Sequence, residues 1–198
     1  LWRASRGHAE RMRWLADIDG LTGVLNRRAF VARLRRSFDE HRSGGTPLSL
    51  CVVDADYFKR INDNRGHQVG DLALQRLTRL LGADLPAPAA LGRIGGEEFA
   101  LLLPNLDGAS ALVFADQLRA RVAKNHLQAD GIGFPMSVSI GVAQLDDPMG
   151  DCEAWLIAAD QALYRAKVLG RDRCVLYERQ CDSPPISGEP LKPATQLG

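Results

Sequence analysis

Apolar positions follow two rhythms along this chain, one of about four residues and one of two. Phe30, Leu34 and Phe38 recur at helical spacing after the turn Asn26-Arg27-Arg28 and predict a helix. The run Leu48 to Val53 reads as a buried strand, and Asp54 falls at its C-terminal end. A short helix is expected next, then a longer one carrying Leu74, Leu77 and Leu81. The apolar segments Ala89–Ile94 and Ala100–Pro104 flank Gly95-Gly96-Glu97-Glu98-Phe99, a pattern that predicts a β-hairpin. Ala115, Leu118 and Val122 mark a further helix, with Asp107-Gly108-Ala109-Ser110 as its start signal. Met136, Val138, Ile140 and Val142 alternate with Ser137, Ser139 and Gly141, which predicts a half-buried strand. Trp155, Ala158, Ala159, Ala162, Leu163 and Ala166 form an apolar helical stripe, and Tyr164 beside them is read as core. Arg173 to Glu178 is expected as a last strand. Strands interleaved with helices, two of them joined by a hairpin, predict an α+β sandwich.

The ends of the chain differ from its middle. Residues 1–17 are basic and are expected to form a helix of the signalling type; Leu1, Ala4, His8 and Leu15 fit a heptad seam that Arg11 breaks. From Gln180 onward Pro, Ser and Gly dominate, so 179–198 is expected to be a disordered tail. The domain itself is placed at 18–178. At 198 residues the chain suffices for one domain with a real core. Its formal charge of +1 gives no bulk field for nucleic acid or an anionic membrane, and neither is expected as a partner. No apolar run is long enough to span a bilayer and no signal-peptide pattern is present, so a cytoplasmic location is expected. Cys51, Cys152, Cys174 and Cys181 show no CxxC spacing and are expected as reduced thiols. A start at Leu1 without Met is expected of a fragment of a longer protein, and membrane anchorage of that protein is left open.

Candidate chemistry gathers at the glycine hairpin and at the end of the Asp54 strand. Two adjacent carboxylates at a hairpin tip repel each other, and make sense with a divalent metal between them; a solvated acidic turn is the plain alternative. Glycines there let a backbone approach a ligand closely. Asp54 lies where ligands of sheet proteins collect, and its oxygens suit Mg²⁺. The helix start that follows offers free N–H groups to phosphate, and Lys59 adds a point charge. Asn62, Gly66-His67 and Gly70-Asp71 supply hydrogen-bonding groups with room around them. An amide and a carboxylate together match the N1–H and N2–H₂ edge of guanine. Metal, triphosphate and guanine point to GTP.

Four blocks now carry a family likeness: Asp19 to Arg28, Asp54 to Asp71, Arg93 to Phe99, and Asp160 to Lys167 with Gly170-Arg171. In that order and spacing the chain resembles a GGDEF domain, here with a GGEEF signature, over roughly residues 17 to 178. GGDEF domains are the catalytic modules of diguanylate cyclases, which condense two GTP into cyclic di-GMP. The resemblance implies a palm-like, ferredoxin-related sandwich with a central, mostly antiparallel sheet flanked by helices. It implies Asp54, Glu97 and the backbone carbonyl of Ala55 as ligands of Mg²⁺ or Mn²⁺, with Glu98 a supplement at a second ion. Lys59 is then the phosphate-side cation, and backbone near Tyr57 and Phe58 cradles phosphate. Gly95 and Gly96 line the substrate, Asn62 and Asp71 read guanine, His67 belongs to the same pocket, and Lys167 and Arg171 hold the terminal phosphates. Taken alone, Asn62 is as well explained as a helix cap, His67 as a turn residue, and Lys167 and Arg171 as cations favoured by a helix C-terminus. Asp56 is assigned structural support.

The implied reaction is attack of one GTP 3′-hydroxyl on the α-phosphate of another, with loss of pyrophosphate, then a second such step. Glu97 is placed to accept the proton. One GTP per domain implies a homodimer of facing half-sites, controlled by an upstream sensory or regulatory domain. The family's Arg-x-x-Asp product-inhibition site corresponds here to Pro86-Ala87-Pro88-Ala89, with neither charge. Two rivals stand beside this reading. A catalytically silent module would bind GTP or cyclic di-GMP, though this chain keeps every glycine and acid of the signature. An ATP cyclase is disfavoured by Asp71, since adenine N1 carries no proton for a carboxylate to accept.

Overall fold

The strand predicted to end at Asp54 forms β1, Leu48–Ala55, and every one of its residues is buried. A strand can be buried on both faces only when helices cover both, and that is the architecture here. The computed structural model describes residues 16–42, 46–129, 132–146 and 149–179. The expected N-terminal helix, apart from helical backbone at Ala16 and Asp17, and the expected tail beyond Arg179 lie outside the described residues.

Six further strands and five helices complete the described chain. Helix α1 is Arg27–Arg42, α2 Phe58–Arg65, α3 His67–Gly82, α4 Gly108–Lys124 and α5 Cys152–Val168. The strands after β1 are β2 Ala90–Arg93, β3 Glu98–Pro104, β4 Leu127–Ala129, β5 Ile132–Phe134, β6 Val138–Gln144 and β7 Cys174–Leu176. Four of them and β1 form one sheet in the order β2-β3-β1-β6-β7, all neighbours antiparallel except the parallel pair β6–β7. The β4–β5 hairpin stands apart as a second, two-stranded sheet that the sequence pattern did not announce.

Alternation along β1 divides the core into two layers. Leu50 and Val52 join Phe30, Leu34 and Phe38 of α1 and Trp155, Ala158, Ala159 and Leu163 of α5 on one face. Cys51, Val53 and Ala55 join Leu74, Leu77 and Leu81 of α3 and Ala115, Leu118 and Val122 of α4 on the other. The start signal before α4 acts as read: the Asp107 carboxylate caps the helix by accepting the Ser110 N–H at 2.8 Å. The Trp155 indole N–H reaches the Ala143 carbonyl at 2.9 Å, so its burial leaves no donor unpaired. Cys51, Cys152 and Cys174 are free. No helix among the described residues is long and apolar enough to cross a membrane.

Three expectations need correction. The strand around Ile140 is buried on both faces rather than one, because α5 lies against Ser139, Gly141 and Ala143. A side chain at Gly141 would overlap the Ala159 carbonyl and the Leu163 backbone, so glycine there is what lets α5 sit so close. Tyr164 is 58% exposed rather than core, since the helix turns it away from Leu163 toward solvent. The last strand is shortened to Cys174–Leu176, the stretch in parallel register with β6, and is flanked by one backbone hydrogen bond each from Ile140 N–H to the Arg173 carbonyl and from Tyr177 N–H to the Val142 carbonyl.

The close approach gives a prediction. Gly141→Ala is expected to destabilise the fold by about 3 kcal/mol in urea unfolding, because backbone cannot yield as a side chain can. Gly20→Ala, with open space at its Cβ position, is expected to stay within about 1 kcal/mol of wild type.

Candidate active site

Asp54 stands at the end of the central strand with only 7% of its surface exposed. The register sets it opposite Glu98 on β3 and Ser139 on β6. Its carboxylate pairs with Lys167 from the last turn of α5, Nζ to Oδ2 at 2.8 Å. The hairpin tip is strapped to the same strand end, the Ala55 N–H donating to the Glu97 carbonyl at 3.2 Å. Asp54, Glu97 and Glu98 are thus gathered around one cation. Burial pushes the Asp54 carboxyl above the usual range, with Lys167 opposing the shift. Burial, and then the Asp54 charge, push Glu97 and Glu98 up as well.

The hairpin is fixed from a second direction. Arg93 donates to the Gly96 carbonyl at 2.7 and 3.2 Å and to the Asp19 carboxylate at 3.2 Å. Asp19 in turn accepts the Thr22 N–H at 2.9 Å and the Thr22 hydroxyl at 2.6 Å. Burial works against the charge on Asp19, yet the hydrogen bonds from Thr22 and Arg93 outweigh it and hold the carboxyl below its ordinary value. A Gly95–Gly96 bend that carries two acids is therefore braced by backbone and guanidinium rather than left to swing.

The phosphate side begins at Tyr57, which precedes α2 in the left-handed region with φ 56°. Its ring is half exposed and carries the Arg171 guanidinium 4.8 Å from its centroid, with Arg60 at 5.5 Å. Phe58 is buried, so its backbone alone faces this side; Lys59 beside it is exposed. Asp56, two residues past Asp54, is buried and bound by Ser137 and Ser139 hydroxyls at 2.7 Å each and by the Asp172 N–H at 3.1 Å. Those bonds occupy its oxygens and agree with a supporting role.

The joint between α2 and α3 assembles the remaining residues. The Gly66 N–H donates to the Asn62 carbonyl at 2.8 Å, and the Asn62 side-chain amide lies over Gly70, whose missing Cβ leaves it room. His67 and Asp71 are exposed at the start of α3, one turn apart and so on one face. The structure brings Asp54, Ala55, Glu97, Glu98 and Lys167 together, and places Phe58 and Lys59 at the start of α2, Arg171 over the Tyr57 ring before it, and Asn62, His67 and Asp71 on the α2–α3 joint. Sequence reasoning assigned no role to Asp19 or Arg93, and to Tyr57 only its backbone and not its ring, although all three lie within the motif blocks. It also gave Lys167 to phosphate without its present partner, Asp54.

Among the described residues no group of three or more His, Cys, Asp or Glu side chains stands close enough to hold a metal by itself. The oxygens of Asp54 and Glu97, with the Ala55 carbonyl, could nonetheless serve as hard donors to such an ion. An ion there would draw its other ligands from nucleotide phosphates and water, as Mg²⁺ commonly does.

Comparisons with known proteins identify the family of this fold. The family model "Diguanylate cyclase, GGDEF domain" matches residues 16–173. The chain belongs to the GGDEF family. It is 39% identical over 167 residues to the probable diguanylate cyclase DgcC of Escherichia coli, covering 84% of this chain and 44% of that protein. Its fold is similar to the coiled coil and GGDEF domain of DgcB from Caulobacter crescentus, solved in complex with c-di-GMP. That match has a TM-score of 0.82 at 32% identity and covers 88% of this chain and 92% of that one. It is also similar to the active GGEEF domain of a diguanylate cyclase from Vibrio cholerae, with a TM-score of 0.74 at 35% identity, covering 78% and 98%. The chain spans less than half the length of the curated relatives named first by similarity. The palm-like, mostly antiparallel sandwich expected from the resemblance is borne out.

The raised carboxyls give a prediction with a definite sign. A carboxyl whose folded pKa is raised favours the fold when protonated, and that contribution is lost as pH rises through the raised value. Glu97→Gln removes the penalty, so near pH 7 the nucleotide-free variant is expected to melt above wild type. The difference should vanish below about pH 4, where ordinary carboxyls are protonated in both proteins. Millimolar Mg²⁺ with GTP should raise the melting temperature of wild type more than that of the variant.

Proposed function

We propose that this domain is a diguanylate cyclase half-site, binding one GTP with a divalent cation and condensing it with a second GTP held by another copy. The observation that carries the reading is the gathering of Asp54 and Glu97 at the end of β1, with Lys167 paired to Asp54 and the Arg171 charge within reach of it. A bound Mg²⁺ or Mn²⁺ would neutralise the carboxylates and lower the energy of an alkoxide and of a transferring phosphoryl group. Lys59 and Arg171 would hold phosphates from two sides, and Lys167 would exchange Asp54 for phosphate oxygens. The free N–H groups at the start of α2 would add backbone donors. Asn62 and Asp71 would read the guanine edge, with His67 on the same face. Glu97 would accept the proton from the 3′-hydroxyl as its oxygen bonds to the α-phosphorus and the bond to pyrophosphate breaks. Repeating the step with the roles of the two GTP exchanged closes the ring.

Relatives support the reading. DgcB was solved with c-di-GMP, and the diguanylate cyclase SiaD of Pseudomonas aeruginosa in complex with its activator SiaC. Each domain holds one half of the reacting pair, so activity requires two copies, and control by an upstream domain or activator would act by bringing them together. At the position of the family's product-inhibition site, Pro86 to Ala89 offer no charged side chain, and Arg33 reaches only the Pro88 carbonyl at 3.3 Å. Feedback by product would then act in the GTP pocket itself.

Incubation of the protein with GTP and Mg²⁺ should yield cyclic di-GMP and pyrophosphate, with no product from Glu97→Ala. Absence of product at high protein concentration would leave the silent-module reading in its place. Asp71→Ser is expected to erode the preference for GTP over ATP by at least about tenfold, since the carboxylate is what tells the two purine edges apart. Added cyclic di-GMP should raise the apparent KM for GTP without lowering the maximal rate. A fall in maximal rate would show a separate product site.

A further inference from the structure

Arg171 is held in place by a clamp that none of the motif blocks explains. Arg171 and Asp172 follow α5 with φ of 62° and 45°, a left-handed pair of non-glycine residues. Such a pair persists only where its surroundings fix it, and Asp172 is fixed on two sides. Its N–H donates to the buried Asp56 carboxylate at 3.1 Å. Its own carboxylate accepts from Arg119 of α4, Nη1 to Oδ1 at 2.9 Å. Arg119 is itself oriented by Asp116, one turn earlier, whose carboxylate takes its Nε–H at 2.7 Å. The Arg119 side chain keeps only 21% of its surface, which makes this pair less screened than an ordinary surface contact. One residue from that anchor, the Arg171 guanidinium lies over Tyr57, where its positive charge reaches Asp54.

We propose that Arg119 is a positioning residue for nucleotide binding: by holding Asp172 it fixes the backbone of Arg171, so that the Arg171 guanidinium is presented to the terminal phosphates. The inference rests on the reading of Arg171 as a phosphate cation. It adds that helix α4, remote from the glycine hairpin, sets the grip on triphosphate. A merely structural Arg119–Asp172 pair would affect stability without regard to which nucleotide is bound. A positioning pair affects GTP, which has terminal phosphates, and leaves GMP, which has none, untouched.

The test is calorimetric binding of GTP and of GMP, each with Mg²⁺, to wild type, Arg119→Met, Arg119→Lys and Arg171→Met. Steady-state kinetics are measured alongside. Methionine keeps the aliphatic stem of Arg119 and removes its charge. Arg119→Met is expected to weaken GTP by about tenfold, the coupling typical of residues in one ion-pair network, and to leave GMP affinity unchanged. The KM for GTP should rise with kcat nearly kept, and Arg119→Lys should recover part of the loss. In an Arg171→Met background, Arg119→Met should cost no further GTP affinity. Equal weakening of GTP and GMP, or an undiminished loss in that background, would overturn the proposal. If wild type favours GTP and Arg171→Met abolishes that preference while Arg119→Met keeps it, this inference alone falls. If wild type binds GMP as tightly as GTP, the phosphate role of Arg171 falls and takes the inference with it.

Discussion

Like charge confined at the buried end of a central strand is the constraint around which this domain is built. Asp54 is nearly inaccessible and its burial raises its proton affinity, burial and the Asp54 charge raise those of Glu97 and Glu98, and Lys167 is the cation against Asp54. Burying a carboxylate is unfavourable unless it is paired, and one ammonium for three carboxylates leaves an excess of negative charge. A fold that keeps such an arrangement is set to receive positive charge. On the proposed reading, the Lys167–Asp54 pair is a resting contact that a metal and phosphates would replace.

The rest of the architecture serves to keep these groups where they repel. β1 lies between β3 and β6 with both faces covered, so Asp54 cannot retreat into solvent. The hairpin is tied to β1 through Ala55, and through Arg93 to the Asp19–Thr22 turn that follows the N-terminal segment. A displacement of that turn would reach the carbonyl of Gly96, one residue from Glu97, through two hydrogen-bonded contacts. On the opposite side, Asp56 draws the end of β1, the start of β6 and the loop after α5 onto one carboxylate. The site is thus braced by hydrogen bonds from both directions.

Much of this was legible in the chain because periodicity reports one-sided burial directly. Phe30, Leu34 and Phe38, the run ending at Asp54, the glycine hairpin and the stripe from Trp155 to Ala166 all lie where their spacing placed them. Periodicity fails where a small or polar residue is buried by a neighbour distant in sequence. Ser139 and Gly141 look like the wet face of a strand, and only the approach of α5 makes that face dry. Tyr164 errs in the other direction: an aromatic ring next to a core position on a helix still points outward. The ion pairs Lys167–Asp54 and Arg119–Asp172 join residues more than fifty apart, and no local pattern encodes them. The chemistry-bearing residues were recognisable by type and order, whereas the contacts that orient them emerge only from the packed fold.

The central claim is that Asp54 exchanges Lys167 for a divalent ion when GTP binds. A crystal structure grown with Mn²⁺ and a non-hydrolysable GTP analogue tests it most directly, since the metal is identified by its anomalous signal. One or more Mn²⁺ ions are expected, bound by Asp54 and Glu97 and by phosphate oxygens, with the Lys167 ammonium moved from Asp54 to the nucleotide. An intact Lys167–Asp54 pair, with the metal and phosphates bound elsewhere on the domain, would contradict it.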